Sequence, residues 1–311
     1  DLNPGFLVGG IPENFGYSAR ATESPYFVIE ADEYDCAFFD KRSKFLHYHP
    51  FVQILNNLEF DHADIFNSLD DIKKQFHHLV RTVPGNGTIV MPYAYPALED
   101  VLKMGVWTPV KRIGGKDGLH AKLIKQDGSV FAVYNGAEFI CEVNAQFCGE
   151  YNVSNALMAA AAAAAVGVDL KKALLSLETY KMPKRRMEYK GCEGNVVVYD
   201  DFAHHPTAIK LTLNGLRAKV GKDKRIIAVF EPRSNSMKMG ANKEFLAESF
   251  ASADEAFIYA PKEVVWDVES LEEKSPTPLH VEHDFDVLLN KIVSASPAGS
   301  TVLVMSNGGF N

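Results

Sequence analysis

Long apolar runs are missing from this chain. No stretch approaches the ~20 consecutive apolar residues that a membrane-spanning helix requires. The alanine run Ala159–Ala165 is cut short by valine, glycine and Asp169, and alanine favours a packed helix. No signal peptide is evident, so the expectation is a protein that does not act in a membrane. Long lysine- and arginine-rich blocks are missing too, and the formal net charge is −8. That excludes wholesale nucleic-acid binding but leaves room for a local basic pocket that holds an anion. Cysteine is scarce: Cys36, Cys141, Cys148 and Cys192, with no C-x-x-C pair. The pattern suits reduced, buried thiols in a cytoplasmic protein better than a disulfide framework. Nothing matches the phosphate-loop pattern G-x-x-x-x-G-K-[ST]. The chain starts at Asp1, enters Phe6-Leu-Val-Gly-Gly10 at once, and stops within Ser306-Asn-Gly-Gly-Phe-Asn311. Both ends read as cut, and a segment of a longer protein is expected.

What is present is a long alternation of strand-like and helix-like segments over 311 residues, enough for two domains. Tyr26–Asp32, Phe51–Asn57 and Thr88–Met91 read as strands. Leu69–Val83 places Ile72, Phe76, Leu79, Val80 and Val83 at helical spacing, and a further helix is expected near Ala97–Met104. Strand alternating with helix argues for an α/β fold, a mostly parallel sheet covered on both faces. Residues 119–148 differ. Three strand-like runs there are separated by Asp127-Gly128 and Asn135-Gly136, which are hairpin signals, so a small antiparallel sheet is expected. Helices follow at about Asn152–Val166 and Leu170–Thr179. Lys181-Met-Pro-Lys-Arg-Arg186 then breaks the pattern. The boundary falls there, giving residues 1–181 and 182–311, the second a smaller doubly wound, Rossmann-like domain. Its strands are read at Val196–Tyr199, Ile226–Phe230, Ala256–Ala260 and Thr301–Met305, and its helices at Thr207–Lys219, Asn242–Ala251 and Phe285–Ala295.

Four clusters carry chemistry, and all but the third sit where a strand gives way to a loop. Glu30-Ala-Asp-Glu-Tyr-Asp35 packs four carboxylates into six residues. A hard cation such as Mg²⁺ would relieve their repulsion, and a solvated acidic loop is the structural alternative. Asn56-Asn-Leu-Glu-Phe-Asp-His-Ala-Asp64 sets His62 between Asp61 and Asp64, an arrangement that can ligate a metal or polarise a phosphate. His47, His49, His77 and His78 have no such neighbours and read as structural or surface residues. In Gly149-Glu-Tyr-Asn-Val-Ser-Asn155, Asn152 is explained as a helix cap, while the amide of Asn155, inside the helix, could read a purine edge. In Asp200-Asp-Phe-Ala-His-His-Pro-Thr207, Asp201 suits ribose hydroxyls and His204 a phosphate; a helix cap with two surface histidines is the alternative. Lys184-Arg-Arg186 offers guanidinium forks for phosphate. In Glu231-Pro-Arg-Ser-Asn-Ser-Met-Lys238, Arg233 and Lys238 could hold a carboxylate.

Taken in order, these segments resemble the Mur ligase superfamily, in the branch that acts on UDP-N-acetylmuramate. Pro4-Gly-Phe-Leu-Val-Gly-Gly10, Glu231–Lys238 and Met305-Ser-Asn-Gly-Gly-Phe310 look like the murein peptide ligase members of that branch rather than the alanine-adding ones. The resemblance covers nearly the whole chain. It implies a partial central ATP-binding domain followed by a C-terminal ligase domain, with the family's phosphate loop and uridine-nucleotide domain lying before Asp1. It implies Glu30 and His62 as catalytic Mg²⁺ ligands, Asn155 at adenine, and Arg186, Asp201 and His204 at the nucleotide. Arg233, Ser234, Asn235, Lys238 and Asn307 would lie near the substrates. The implied reaction uses ATP to activate the carboxylate of UDP-N-acetylmuramate as an acyl phosphate, which the amine of the murein tripeptide L-Ala-γ-D-Glu-meso-diaminopimelate then attacks. Alternatives are the L-alanine-adding reaction, a folylpolyglutamate synthase-like ligase (against which His204-His205-Pro206 speaks) and a nucleotide-binding module without catalysis, the last applying to the segment alone. Sister ligases carry a carbamylated lysine whose counterpart here falls near Phe76, or, with a slip in the count, on Lys73 or Lys74. The oligomeric state is left open.

Overall fold

The computed structural model describes residues 2–309, and Asp1, Phe310 and Asn311 lie outside the described residues. The chain divides into two compact units, one ending at Lys181 and the other starting at Met182.

In the first unit, β1 (Gly5–Leu7) pairs antiparallel with β2 (Ala19–Arg20) and parallel with β3 (Phe27–Ile29). A hairpin of β4 (Asp35–Ala37) and β5 (Asp40–Ser43) follows, then a 3₁₀ turn over Lys44–His47. Next come β6 (Val52–Ile54), α1 (Leu69–Val80), β7 (Thr88–Pro92), α2 (Pro96–Lys103) and β8 (Val110–Ile113), with β6, β7 and β8 forming a parallel sheet. β9 (Leu119–Leu123), β10 (Val130–Asn135) and β11 (Glu138–Asn144) form an antiparallel sheet, and α3 (Glu150–Ala165) and α4 (Leu170–Leu175) close the unit.

The apolar spacing read for α1 buries Ile72, Leu79 and Val80 against β7 and α2, in a core with Phe45, Ile89, Met91 and Leu98. The helix stops three residues earlier than the spacing suggests. Pro84 disfavours helical backbone at Val83, and the Thr82 hydroxyl donates to Leu79 O at 2.7 Å, satisfying an end carbonyl. Both hairpin signals hold: Gly128 and Gly136 take φ of 77° and 57°, a left-handed conformation that side-chain-bearing residues resist.

The parallel strands fall into two three-stranded sheets rather than one. The strand read over Tyr26–Asp32 is confined to Phe27–Ile29, and the residues beyond it turn into the β4–β5 hairpin. Asn152 is not the helix cap. α3 already starts at Glu150 behind Gly149, and the buried Asn152 amide reaches back to donate to Cys148 O at 2.8 Å. The helix read over Leu170–Thr179 is α only to Leu175 and 3₁₀ beyond.

The second unit contains β12 (Glu188–Glu193), β13 (Val196–Asp201), α5 (Pro206–Val220), β14 (Ile226–Phe230), α6 (Asn235–Lys238), α7 (Lys243–Ser249), β15 (Glu255–Tyr259), α8 (Ser270–Lys274), β16 (Leu279–Glu282), α9 (Phe285–Ala295) and β17 (Thr301–Met305). They build one six-stranded sheet in the order β12-β13-β17-β14-β15-β16, parallel except for the antiparallel edge strand β12. β14 is buried at every position, as a central parallel strand covered on both faces must be. Ala228 and Phe230 face α5 and α7 with Leu213, Leu246 and Phe250, while Ile227 and Val229 face Leu288 of α9. β12 and β16 escaped the sequence reading. Glu188–Glu193 carries three charged residues and a glycine, which edge position tolerates and hydrophobic periodicity does not reveal.

Candidate active site

In the first unit the acidic run leaves β3 and turns back on itself. Glu30 points toward the glycine pair of the chain's opening: the Gly9 N–H donates to Glu30 Oε2 at 2.5 Å. A Cβ on Gly9 would lie 3.0 Å from that oxygen, so a side chain there would crowd the carboxylate. Glu33 is the carboxylate that meets His62, with Glu33 Oε1 at 2.8 Å from His62 Nε2. Asp32, Glu33 and His62 each bring a ligand atom to within 4.8 Å of the others. Two carboxylates and an imidazole, one of them neutralisable by proton loss, suit a divalent cation. The structure thus brings His62 together with Asp32 and Glu33, whereas Glu30 is tied to Gly9.

His62 follows β6 and is held with φ of 54°, an uncommon conformation for a residue with a side chain. Its N–H donates to Asp61 Oδ1 at 2.7 Å, and its carbonyl accepts from the N–H groups of Ile65 and Phe66, so the turn is fixed from both sides. Burial works against charge on the His62 ring, but hydrogen bonding and the field of Glu33, aided by Asp61 and Asp32, raise its pKa. The Tyr34 ring packs on it with centroids 4.1 Å apart. Burial, followed by the fields of Asp64, Asp61 and Asp32, pushes the Tyr34 hydroxyl up to about 12. A cavity of about 320 Å³ opens beside this group, lined by Glu33, Asp35, Lys41 and Asp64 among others.

Asn155 lies on the exposed side of α3, where its Oδ1 accepts from Asn56 Nδ2 at 2.9 Å. Residues 99 apart in sequence are thereby linked, and the loop after β6 is fixed to the helix. Phe76 packs edge-on against Phe45 at 81°. Lys73 pairs with Asp70 and Asp100, and Lys74 with Asp71.

In the second unit, β13, β17 and β14 are adjacent and parallel, so their carboxyl ends lie side by side, where open α/β sheets bind ligands. Asp201 ends β13 and is 3% exposed. Its Oδ2 accepts from Met187 N and its Oδ1 from Ala203 N, each at 2.8 Å. Burial raises its pKa against these two bonds. Asp201 therefore clamps the backbone next to Arg186 rather than presenting itself to solvent. Arg186 is exposed, with its guanidinium 5.3 Å from the centre of the Phe202 ring. Arg185 is turned inward: its Nη2 donates to Ser306 O at 2.5 Å. His204 donates from Nδ1 to Phe202 O at 3.1 Å, which sets its tautomer. His205, not Asp201 or His204, caps α5, accepting from Thr207 N.

Glu231, at the end of β14, is fully buried. Its Oε2 accepts from the Ser306 hydroxyl at 2.8 Å and its Oε1 from Arg233 Nη1 at 3.1 Å. The last glycine turn fits over the arginine, because a Cβ on Gly308 would meet Arg233 Cδ at 2.3 Å. Asn307 Oδ1 is buried there with no hydrogen-bond partner among the described residues. Ser234 spends its hydroxyl on capping α6, accepting from Met237 N at 3.2 Å. Asn235 opens that short helix and Lys238 closes it. Glu231, Ser306, Asp32 and Glu33 are the residues that sequence reasoning left without roles. Both acidic motifs had been singled out, but spacing does not tell which carboxylate of a run turns inward.

The chain is similar to known proteins along nearly its whole length. The Mur ligase middle domain matches residues 11–163, and the Mur ligase glutamate ligase domain matches residues 185–308. A UDP-N-acetylmuramate–L-alanyl-gamma-D-glutamyl-meso-2,6-diaminoheptandioate ligase of Escherichia coli (strain K12) is 51% identical over 99% of this chain and 67% of its own length. A UDP-N-acetylmuramate–L-alanine ligase of Caldanaerobacter subterraneus is 32% identical over 98% of this chain and 67% of its own length. The crystal structure of a murein peptide ligase from Psychrobacter arcticus 273-4 superposes with a TM-score of 0.72 at 42% identity, covering 99% of this chain and 69% of that one. No helix among the described residues is long and apolar enough to cross a membrane. With both domain models matched in order and half of its residues shared with a characterised relative, the chain belongs to the Mur ligase family.

Proposed function

We propose that the chain carries the ATP-dependent amide-ligase chemistry that joins UDP-N-acetylmuramate to the murein tripeptide L-Ala-γ-D-Glu-meso-diaminopimelate, as in cell-wall peptide recycling in the cytoplasm. The observation that carries the choice of acceptor is the gap in identity, 51% to the tripeptide-using relative against 32% to an alanine-using one over nearly the same span. Asp32, Glu33 and His62 fit Mg²⁺, which when bound would offset negative charge as two anions approach; Glu30, held by Gly9, is the further carboxylate the resemblance assigns to it. Asn155, oriented by Asn56, reads the adenine edge. Arg186 and His204 meet the nucleotide phosphates, and Asp201 serves them by fixing the turn that carries Arg186. Arg233, set by Glu231, holds a substrate carboxylate, with Asn307, Asn235, Ser234 and Lys238 around it.

In this reading the muramate carboxylate attacks the γ-phosphate and ADP leaves. The tripeptide amine then attacks the acyl carbonyl and phosphate leaves. Unaided carboxylates and amines do not condense in water, and the acyl phosphate survives only where water is excluded. The test is ADP release by the intact ligase with UDP-N-acetylmuramate, ATP and Mg²⁺, adding the tripeptide or L-alanine. Turnover with tripeptide and little with alanine is expected. The reverse would make it the alanine-adding enzyme, and no turnover with either would sink the ligase reading.

A further inference from the structure

We propose that Cys36, Asp40 and His47 form a binding site for a thiophilic divalent cation of the zinc type, separate from the carboxylate–histidine group at His62. One ligand atom from each of the three lies within 4.8 Å of the other two. A thiolate, an imidazole and a carboxylate together are the donor set of zinc. Magnesium takes oxygen and leaves sulfur alone. The chemistry therefore divides two cation types between two neighbouring clusters.

The site is local in sequence. All three donors sit in residues 36–47, within the β4–β5 hairpin and the 3₁₀ turn that follows it. The strand register is irregular between Asp35 and Ala37, where Lys41 and Arg42 of β5 oppose the single residue Cys36 of β4, and such a bulge bends the strand that carries it. Asp40 opens β5 and His47 closes the 3₁₀ turn. That turn is anchored from below by Phe45, which is 1% exposed and packed on Phe76. The base carrying His47 is therefore part of the core, although its ring is accessible.

The three donor atoms lie within 4.8 Å of one another and would draw together around an ion. Tetrahedral zinc holds sulfur, nitrogen and oxygen ligands about 3.3–3.6 Å apart. His47 Nε2 now lies 3.0 Å from Asp40 Oδ2 and would move outward slightly when its proton is replaced by the ion. Arg42 holds Asp40 through both oxygens, Nε donating to Oδ1 and Nη2 to Oδ2, each at 2.9 Å; the ion would replace the bond to Oδ2 and leave the one to Oδ1. Ligating carboxylates are commonly held by such an outer hydrogen bond. The fourth position goes to water.

Titration of the intact protein with cobalt(II) chloride tests the site, because cobalt bound to sulfur gives a thiolate-to-metal charge-transfer band in the near ultraviolet. One equivalent of band that zinc displaces is expected. Cys36→Ser should abolish it, and His47→Gln, at an accessible ring, should weaken cobalt affinity by about tenfold or more. Cys192→Ser and Glu33→Gln should leave it intact. Absence of the band, its persistence in Cys36→Ser, or its loss in Cys192→Ser would overturn the proposal. Should Cys36→Ser fail to fold, unchanged cobalt affinity in His47→Gln would overturn it equally well.

Discussion

Asp32, Glu33, Asp61 and Asp64 crowd around Tyr34 and His62 in the first unit, partly open to solvent, with the His62 ring against Glu33, Lys44 near Asp32 and backbone N–H groups on Asp32 and Asp61. Asp201 and Glu231 in the second unit are buried, and each is held by hydrogen bonds to two different residues. The first arrangement keeps an open side from which a cation could approach. The second is closed and uses its carboxylates as clamps that aim arginines. Carboxylates of the same chemical type thus serve opposite ends, and the difference lies in burial: donors reach both groups, but only the second is enclosed with them.

The sharpest way to break this contrast is Asp201→Ala. It leaves the N–H groups of Met187 and Ala203 buried without acceptors, at roughly 1–3 kcal/mol each. Urea unfolding of the second unit should therefore show a loss of about 3 kcal/mol; a loss under about 0.5 kcal/mol would mean that the clamp is dispensable. Glu33→Gln should do the reverse. Fold stability should hold or rise as repulsion falls, while the Mg²⁺ concentration for half-maximal ligase activity should increase about tenfold to a hundredfold. An unchanged Mg²⁺ requirement would remove Glu33 from the metal set. Glu231→Gln keeps an acceptor for Ser306 but removes the charge that sets Arg233. Steady-state kinetics should show a several-fold rise, about 1 kcal/mol, in KM for the carboxylate substrate with kcat little changed.

The smallest effect belongs to a pair outside both groups. Hydrogen bonds to Glu269 and to Ala260 O raise the His283 pKa. A raised histidine contributes stability that is complete below its unfolded value and is lost as pH rises through the folded one. Thermal unfolding between pH 6 and 8 should thus register a loss of only a few tenths of a kcal/mol, because both side chains are more than half exposed and screened. The loss should vanish in Glu269→Gln.

Much of the architecture was legible because it is written in local signals. The helical spacing of Ile72, Leu79 and Val80 gave α1, the Asp-Gly and Asn-Gly pairs gave the hairpins, and the apolar run Ile226–Phe230 gave the central strand. Edge strands β12 and β16 stayed hidden, since an edge need not be apolar on both faces. For the candidate site, sequence pointed to loops but could not tell which residue in each turns inward. It offered Glu30 for His62 where geometry presents Glu33, and it assigned Asp201 to a ligand where geometry spends it on backbone. It read His47 as structural or surface, and the ring is exposed; its approach to Cys36 and Asp40 was not legible, because they become neighbours only when the hairpin closes and the 3₁₀ turn follows.

The sequence by itself determined the α/β alternation, the break near Lys181 and the order of the ligase motifs, all properties of residues close together in the chain. Tertiary structure decided which carboxylates are poised and which are satisfied. That depends on donors brought from far away, Gly9 to Glu30, Met187 to Asp201 and Ser306 to Glu231, and a buried charge takes its role from the partners that reach it rather than from its own identity.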